Sequence, residues 1–445
     1  SMGLETSMYN LTPPKHLTPH LLRFIVSELR PVRGARDFYP EDARLRSWLF
    51  SHFEEVSRIF AFEEYDTPIV ESESLYTRKS GEEITDQIYN FEDKGGRRIS
   101  LRPEMTPSLA RLIIQKAPVL SFPLKWYSIP QCWRYERMTR GRKREHYQWN
   151  MDIIGVENTS AEVELLSAII SLFERIGLSK EDVGIRISNR KLLQELLSNM
   201  GTPENQFSEI CVVLDKMHKL SKEDIFENLS QLGLSEDTSS EIFDMLKIQD
   251  IPTFEQKLGA DSEAVSELKE LFNLADACNI TDWLSFDASI VRGLSYYTGT
   301  VFEAFDKKQD FRAICGGGRY DKLLSSFNAT DMPCCGFGFG DVVIMEILQE
   351  RNLLPSLLQS TDDVVFFMED SLREVAMKVS TILRKSGRSV DLIMESKKVK
   401  NALKYANKTG ASRLIMVTPD EWKKEALRIK NMDSGKESEI PLSKL

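Results

Sequence analysis

The strongest constraint on the fold is a series of short apolar runs. Turn residues separate these runs, and no helical pattern lies between them. These runs cover residues 88–91, 99–101 and 124–129, and Gly96 and Pro123 lie between them. Glycine and proline at such positions favour turns. Strands that follow one another without an intervening helix pair as antiparallel neighbours, so the sequence predicts an antiparallel sheet.

Helices flank this sheet in the predicted fold. Over residues 41–62, apolar residues recur every three or four positions, which is the spacing of one face of a helix. The predicted buried face of that helix consists of Leu45, Leu49, Phe53, Val56 and Phe60. A second helix is predicted to begin at Thr159 and to end at Gly177, because Thr159 and Glu162 have the spacing of a capping box. The pattern therefore predicts the α+β class.

Changes of character divide the 445 residues of the chain into segments. Acidic, leucine-rich sequence over residues 189–280 predicts a helical insertion, and strand-like sequence returns after it. From residue 362, short apolar runs alternate with helical patterns, which predicts a small α/β domain with a largely parallel sheet. The predicted domains are an N-terminal extension (1–31), a sheet domain in two parts (32–188 and 281–355), the insertion (189–280) and the α/β domain (362–445).

Composition excludes several classes of protein. The chain carries a formal net charge of -10, and its 41% hydrophobic and 28% charged residues are typical of a soluble globular protein. No apolar run approaches the roughly 18 residues of a membrane span, and no secretory signal is visible, which predicts a cytoplasmic protein with organellar or dual targeting left open. The cysteines form no CxxC pair and the histidines no cluster, which argues against a disulfide framework and a dedicated transition-metal site.

Positive charge is concentrated in one stretch, RYERMTRGRKREHYQWNMD, which runs from Arg134 to Asp152. Charge runs are usually solvated surface. Here Trp133 precedes Arg134 in a strand-like segment and Gly141 allows a turn, so we expect a hairpin with an arginine-lined loop. Guanidinium groups offer paired donors to phosphate oxygens and stay charged at any working pH. Such a loop suits a polyphosphate.

Three further pieces are individually ambiguous. Arg292 lies in a strand-like segment with adjacent Tyr296 and Tyr297, a pattern that also fits a surface arginine and core tyrosines. The glycine runs CGGGR and GFGFG permit close approach of a ligand or backbone, but tight turns explain most such runs. In SLRPEMTPSLAR, Glu104 and Thr106 follow a predicted strand and also fit a helix start.

Together and in this order, these pieces resemble the histidyl-tRNA synthetase family of class II aminoacyl-tRNA synthetases. The segment VRGARDFYP with the following helix resembles motif 1 of the class, and WRYERMTRGRKREHYQWNMDIIG resembles motif 2. The segments RGLSYYTG and CGGGRYDKL resemble the two signatures of the histidine family and are the most specific part of the match. The resemblance runs from about Val32 to the C-terminus.

The resemblance implies a fold, an activity and partners. The implied fold is an α+β catalytic domain with an antiparallel sheet flanked by helices, a helical insertion and a C-terminal α/β anticodon-binding domain. The implied reaction is ATP-dependent ligation of L-histidine to tRNA(His) through a histidyl-adenylate, which releases AMP and pyrophosphate and uses Mg²⁺ on the ATP phosphates. Motif 1 usually builds a dimer interface in this class, so a homodimer is expected, with no membrane partner.

Residue roles follow from the matched motifs. Arg134 resembles the arginine that grips the ATP α-phosphate and the amino acid carboxylate, and Arg292 resembles the family's extra catalytic arginine. Asp152 and Tyr297 resemble the pair that reads the imidazole. The residues implied in histidine binding are Glu104, Thr106, Arg134, Gln148, Asp152, Arg292, Tyr296 and Tyr297. The residues implied in ATP binding are Arg134, Glu136, Arg142, Arg144 and Arg319.

Two positions depart from the family pattern. Val343 stands where many relatives have an arginine that stacks on adenine, so we expect adenine to be held differently, or by Arg319 as a substitute. Ser295 stands where the first histidine signature has aspartate, which is a smaller change. Neither departure removes a residue that the phosphate chemistry needs.

A catalytically silent relative is the competing interpretation. The same fold serves as a regulatory subunit of the phosphoribosyltransferase that begins histidine biosynthesis, and as a sensor of uncharged tRNA. That subunit is expected to lack the C-terminal α/β domain and the arginine of RGLxYY, and this chain keeps both, which favours the ligase. The cations available for tRNA phosphates in the last domain are Arg384, Lys385, Arg388, Lys397, Lys398 and Lys400.

Overall fold

A computed structural model describes most of the chain as two compact units, which consist mainly of residues 46–354 and 355–445. The described residues are 29–77, 82–217, 220–290, 296–308, 310–357 and 361–445. Almost all of the predicted N-terminal extension, together with Arg292 and Ser295, lies outside them. Among the described helices, none combines the length and the apolar composition that crossing a membrane requires.

The larger unit is organised around a nine-stranded sheet with the order β1-β5-β7-β12-β11-β10-β8-β9, in which β6 pairs with β7. Its pairs are antiparallel except for β1 with β5 and β8 with β9. The prediction of a mainly antiparallel sheet is therefore confirmed. The strands of this unit are β1 (Glu63–Glu64), β2 (Val70–Ser72), β3 (Asn90–Glu92), β4 (Arg98–Leu101), β5 (Leu124–Ser128), β6 (Gln131–Trp133), β7 (Glu145–Ile154), β8 (Val183–Asn189), β9 (Leu284–Phe286), β10 (Thr300–Asp306), β11 (Cys315–Arg319) and β12 (Cys334–Gly340).

The three apolar runs that predicted the sheet fall into two different sheets. The strand β4 pairs with both β2 and β3 in a separate three-stranded antiparallel sheet, whereas β5 belongs to the large one. A helix, Thr106–Lys116, lies between β4 and β5. The prediction that no helix separates these strands was thus wrong. The alternative interpretation of Thr106 as a helix start is confirmed.

Helices cover one face of the large sheet through aromatic packing. In the helix Pro40–Ile59, Phe53 stacks on Trp149 of β7 with ring centroids 5.1 Å apart, and the Trp149 indole donates to Ser57 Oγ at 3.0 Å. Alternate residues of a strand point to opposite faces. Trp149 and Met151 therefore enter the core, which leaves the intervening residues of β7 to the opposite face. The other helices of this unit before and after the predicted insertion are Ser74–Thr77, Glu82–Gln87, Thr106–Lys116, Ser160–Arg175 and Asp341–Glu350.

The helix Ser160–Arg175 starts at the predicted N-cap, Thr159, but without the predicted capping box. The Thr159 side chain makes no capping hydrogen bond, and Glu162 instead binds the guanidinium of Arg319. A capping carboxylate is normally exposed, whereas Glu162 is fully buried. A buried carboxylate is most stable beside a cation, so the ion pair with Arg319 takes precedence over the local cap.

Helices fill the region of the predicted insertion. Buried side chains of these helices, such as Leu193, Ile242 and Leu268, belong to the same hydrophobic cluster as β8 and the helix Ser160–Arg175. The helices are Arg190–Asn199, Phe207–Leu214, Lys222–Gln231, Glu236–Leu246, Ile251–Leu258 and Glu263–Ala277.

The smaller unit contains a five-stranded sheet with the order β14-β13-β15-β16-β17. The strands β14, β13 and β15 are parallel, as predicted, but β16 and β17 are antiparallel. The short connection between β16 and β17 allows only a hairpin, since a parallel crossover needs a dozen or more residues. The strands are β13 (Asp363–Phe367), β14 (Val390–Leu392), β15 (Arg413–Val417), β16 (Ala426–Asn431) and β17 (Glu437–Pro441), and the helices are Arg373–Lys385, Val399–Lys408 and Pro419–Trp422.

Candidate active site

Two adjoining cavities lie over β7, β11 and β12, on the face of the sheet that the core helices leave open. The larger cavity has a volume of about 230 Å³ and the smaller one about 130 Å³. Four residues line both, namely Arg134, Gln148, Gly316 and Gly338. Ligands in the two cavities would therefore meet at Arg134.

Glycines in β12 make room for the smaller cavity. A Cβ atom on Gly336 would lie 2.0 Å from Asp152 Oδ1, and one on Gly338 would lie 2.3 Å from Gln148 Nε2. The intervening Phe337 and Phe339 belong to the hydrophobic core. The alternation of glycine and phenylalanine in GFGFG thus builds a strand that is full on its core face and open on the cavity face. The sequence allows either a tight turn or close approach at this run, and the structure shows close approach on a strand; the period of two was the available signal.

An acidic side chain with an unused oxygen lies in the smaller cavity. Glu104 is 4% exposed, and its Oε2 accepts a hydrogen bond from the Tyr296 hydroxyl at 3.1 Å. Its Oε1 is buried and has no hydrogen-bond partner among the described residues. Burial raises the pKa of Glu104, against the opposing influence of Arg134. An ammonium group in the cavity would supply both the missing donor and the missing charge.

Asp152 is the second carboxyl group of the smaller cavity. It is 5% exposed, and the Tyr320 hydroxyl donates a hydrogen bond to its Oδ1. Burial raises the pKa of Asp152 to about 7, although the Tyr320 hydrogen bond opposes this shift. Tyr297 also lines the cavity, as do Thr106 and Gln148. Sequence reasoning missed Tyr320, although it directly follows Arg319 in the quoted signature CGGGRYDKL.

Arg134 is held in place between the two cavities. Its Nε donates to the carbonyl oxygen of Pro103 at 2.9 Å, and its Nη1 lies 3.9 Å from Glu136 Oε1. These contacts occupy few of the five donors of a guanidinium. The remaining donors are available to an oxyanion at the junction of the cavities.

The larger cavity combines cationic and apolar walls. Its cations are Arg134, Arg142, Lys143 and Arg312, and Arg142 forms an ion pair with its one acidic residue, Glu136. Ile314, Val342 and Val343 form an apolar part of the wall.

His146 also faces the larger cavity. Burial and the neighbouring cations, first Arg134 and then Arg36 and Arg142, lower the pKa of His146 to about 3. The imidazole is therefore neutral across the physiological range and presents an uncharged aromatic surface.

Two predicted site residues, Arg144 and Arg319, lie outside these walls. The Arg144 guanidinium lies over the Tyr135 ring, 3.8 Å from its centroid, and Nε donates to the Glu136 carbonyl. The Arg319 guanidinium is 6% exposed and binds both oxygens of Glu162, at 2.6 and 2.8 Å. Protein groups engage both side chains, and the roles of Arg144 in ATP binding and of Arg319 as a substitute at adenine stay predictions. Arg292 lies outside the described residues.

Within the described part of the chain, no cluster of three His, Cys, Asp or Glu residues could hold a metal ion. Mg²⁺ is commonly held by substrate phosphates with only one or two carboxylates. Glu136 is the acidic residue of the larger cavity that could contribute.

The larger unit has the mainly antiparallel sheet that the resemblance to the class II aminoacyl-tRNA synthetases implies. A family model described as histidyl-tRNA synthetase matches residues 34–340, and a model described as anticodon binding domain matches residues 359–445. The chain therefore belongs to the histidyl-tRNA synthetase family.

Individual relatives agree with this assignment. The chain is 51% identical over 418 residues to a chloroplastic/mitochondrial histidine–tRNA ligase of Arabidopsis thaliana, which covers 94% of this chain and 86% of the relative. It is 38% identical to a histidine–tRNA ligase of Leptospira biflexa, over 90% of this chain and 93% of the relative. Among solved structures, the histidyl-tRNA synthetase of Nostoc sp. PCC 7120 has a TM-score of 0.74 and 25% identity, with 93% of this chain and 97% of that chain covered.

Proposed function

We propose that this chain ligates L-histidine to tRNA(His) in an ATP-dependent reaction, through a histidyl-adenylate and with release of AMP and pyrophosphate. The observation that carries the proposal is the pair of joined cavities, one small and acidic and the other cationic, with Arg134 common to both. An amino acid and a nucleotide bound there would bring a carboxylate and a phosphate to the same guanidinium.

The smaller cavity fits histidine through its two carboxyl groups. The unpartnered Oε1 of Glu104 would accept from the α-ammonium group, with Thr106, Gln148 and Tyr296 around it. Asp152, oriented by Tyr320, would accept from an imidazole N–H. A site built to hydrogen-bond a polar side chain rejects apolar analogues strongly, because its own buried groups would be left unpaired. Tyr297 completes this wall.

The chemistry of adenylation requires alignment and charge. A carboxylate is already ionised at neutral pH, so the substrate needs no general base before it attacks the α-phosphorus. The protein must hold the two groups in line and stabilise the negative charge of the transition state. Arg134 would do both, and we propose that Arg292 is the second catalytic arginine. The bond from the α-phosphorus to pyrophosphate breaks as the new carboxyl–phosphorus bond forms.

The rest of the nucleotide fits the larger cavity. Arg142 would approach the outer phosphates, which also carry Mg²⁺, and Glu136 would lie near the adenine. We propose that the base packs against the apolar wall that includes Val343, with the neutral ring of His146 as an aromatic surface. Such packing would make an arginine at position 343 unnecessary.

The smaller unit favours the ligase over a regulatory subunit. Residues 359–445 match the anticodon binding domain, which a protein that selects a tRNA uses and a regulator of another enzyme does not need. The acceptor of the activated histidine is then a tRNA.

Histidine-dependent exchange of radioactive pyrophosphate into ATP tests the activation step. We expect exchange with purified protein, Mg²⁺ and histidine, and none when glutamine or phenylalanine replaces histidine. Transfer to tRNA(His) is then measured as acid-precipitable radioactive histidine. No exchange at saturating histidine would exclude the proposed activity.

Oligomeric state, domain limits and compartment complete the proposal. We propose a homodimer, which sedimentation equilibrium would distinguish from a monomer. We also propose the domain limits 1–31, 32–188, 189–280, 281–355 and 362–445, which limited proteolysis would check. The A. thaliana relative is named chloroplastic/mitochondrial, and for this chain we propose an organelle, alone or beside the cytoplasm. Fluorescent tagging of the natural protein in its own cells would decide between these compartments.

A further inference from the structure

We propose that Arg312, which no matched motif assigns, binds the triphosphate of ATP in the larger cavity. The inference rests on the proposed function for the identity of the nucleotide, and on the larger cavity alone for the anion. Arg312 lies in the connection between β10 and β11, close before the first residue of β11, and its side chain lines the larger cavity with Arg134 and Arg142.

The guanidinium of Arg312 is unpaired within the described part of the chain. Its side chain is partly exposed, and among the described residues no carboxylate lies within 4.0 Å of the guanidinium to form an ion pair. Its neighbour Arg319 shows the opposite arrangement, since protein acceptors surround that guanidinium. A guanidinium with unused donors in a cavity wall is available to a ligand.

The larger cavity has a net positive charge. Arg134, Arg142, Lys143 and Arg312 carry four positive charges against the one negative charge of Glu136, and that carboxylate already pairs with Arg142. Partial burial first, and then repulsion from Arg142, lower the pKa of Arg312. Cations that repel one another in the free protein are relieved when a polyanion enters. A triphosphate supplies this charge, and adenine does not.

The segment that contains Arg312 contacts the arginine-lined loop. Arg140, in the loop that carries Arg142, places its guanidinium over the Phe311 ring, 4.5 Å from the ring centroid. Arg140 also lies 3.7 Å from Glu346 in the helix Asp341–Glu350. These contacts attach the residue before Arg312 to the arginine-lined loop. Arg312 and Arg142 can therefore bind one ligand together.

Calorimetric titration of three variants with three ligands tests the proposal without turnover. The variants are Arg312→Gln, Arg312→Lys and the control Lys308→Gln, which removes one charge from the same connection at an exposed position outside the cavity wall. The ligands are MgATP, inorganic tripolyphosphate and adenosine. For Arg312→Gln we expect affinity for MgATP and tripolyphosphate to fall about ten- to a hundredfold, as for a lost hydrogen bond between charged groups. Adenosine affinity should not change.

The conservative variant and the control make the result specific. Arg312→Lys should recover much of the tripolyphosphate affinity because it keeps the charge, and Lys308→Gln should bind like the wild type. Unchanged tripolyphosphate binding in Arg312→Gln, or an equal loss in the control, would overturn the proposal. A loss of adenosine binding with intact tripolyphosphate binding would also overturn it and assign Arg312 to the base. Failure of the wild-type protein to exchange pyrophosphate would refute the ligase, but not this anion site.

Discussion

Arg134 and Arg319 both belong to recognisable signatures, yet the structure uses them in opposite ways. The Arg319 guanidinium donates to Glu162, to the carbonyl oxygens of Val156 and Asn158, and to Asp321. Arg134 makes one hydrogen bond to a carbonyl and a distant approach to Glu136. The first arginine is satisfied by the protein, whereas the second is reserved for a ligand. A signature identifies the residue, and its hydrogen-bond partners identify its role.

The largest effect should follow from breaking the satisfied pair. Arg319→Met leaves Glu162 buried without its cation, which should lower the free energy of unfolding by about 3–5 kcal/mol, as measured by urea denaturation. Replacing both residues, with Arg319→Met and Glu162→Leu, should recover part of that loss because no charge stays buried. A normal free energy of unfolding with weakened ATP binding would instead make Arg319 a ligand contact, against the comparison.

The reserved arginine should show the reverse behaviour. Arg134→Ala should reduce the rate of pyrophosphate exchange roughly 10²–10³-fold, as for the loss of one preorganised donor to a transition state. Its unfolding midpoint in urea should stay close to that of the wild type, since Arg134 makes few contacts with the protein. A large loss of stability with normal exchange in the folded fraction would contradict the distinction.

The glycines of β12 keep space open for a ligand, just as Arg134 keeps hydrogen-bond donors available to one. In Gly336→Ala the new methyl group would lie 2.0 Å from Asp152 Oδ1, so the carboxyl group must move. Overpacking of this kind typically costs about 1–3 kcal/mol. We expect this cost to appear as a lower affinity for histidine. The affinity for MgATP, measured by calorimetry, is the internal control because Gly336 lines only the smaller cavity. Equal weakening of both ligands would mean that the sheet itself is disturbed.

The last effect is a pH-dependent difference in stability. The pKa of Asp152, about 7 when folded, exceeds its unfolded value of about 3.9, so only the folded state binds this proton between the two values. Stability is therefore lost as the pH rises from about 4 to 7, by at most about 1.4 kcal/mol per pH unit, and the loss is complete above pH 7. Asp152→Asn lacks this slope. Its stability relative to the wild type should increase with pH in thermal unfolding, and parallel curves would refute the desolvated carboxyl group.

The sequence predicted the elements of the fold better than their partners. The helix spacing of residues 41–62 corresponds to Pro40–Ile59, because the period of apolar residues is a local property. The assignment of β3 and β4 to a separate sheet depends on the pairing of β4 with both β2 and β3, which no local pattern encodes. Glu162 has the spacing of a capping residue, but its partner Arg319 lies 157 positions away in the sequence.

The same limit applies to the site. Motif positions brought Glu104, Gln148 and Asp152 into one cavity, because each is fixed on or beside a regular element. The orientation of Arg144 toward Tyr135 and the entry of Arg312 into the larger cavity depend on loop packing. Tertiary contacts in loops decide which of several nearby cations meets the ligand, and a motif alone does not contain them.

The position of Arg134 in both cavity walls has a consequence for the order of events. Two anions bound to one guanidinium repel each other and share its positive charge. Binding of histidine and of ATP is then energetically coupled, and by linkage each substrate must change the affinity of the other by the same factor. A single side chain thus makes the protein respond to the two substrates jointly rather than to either one alone.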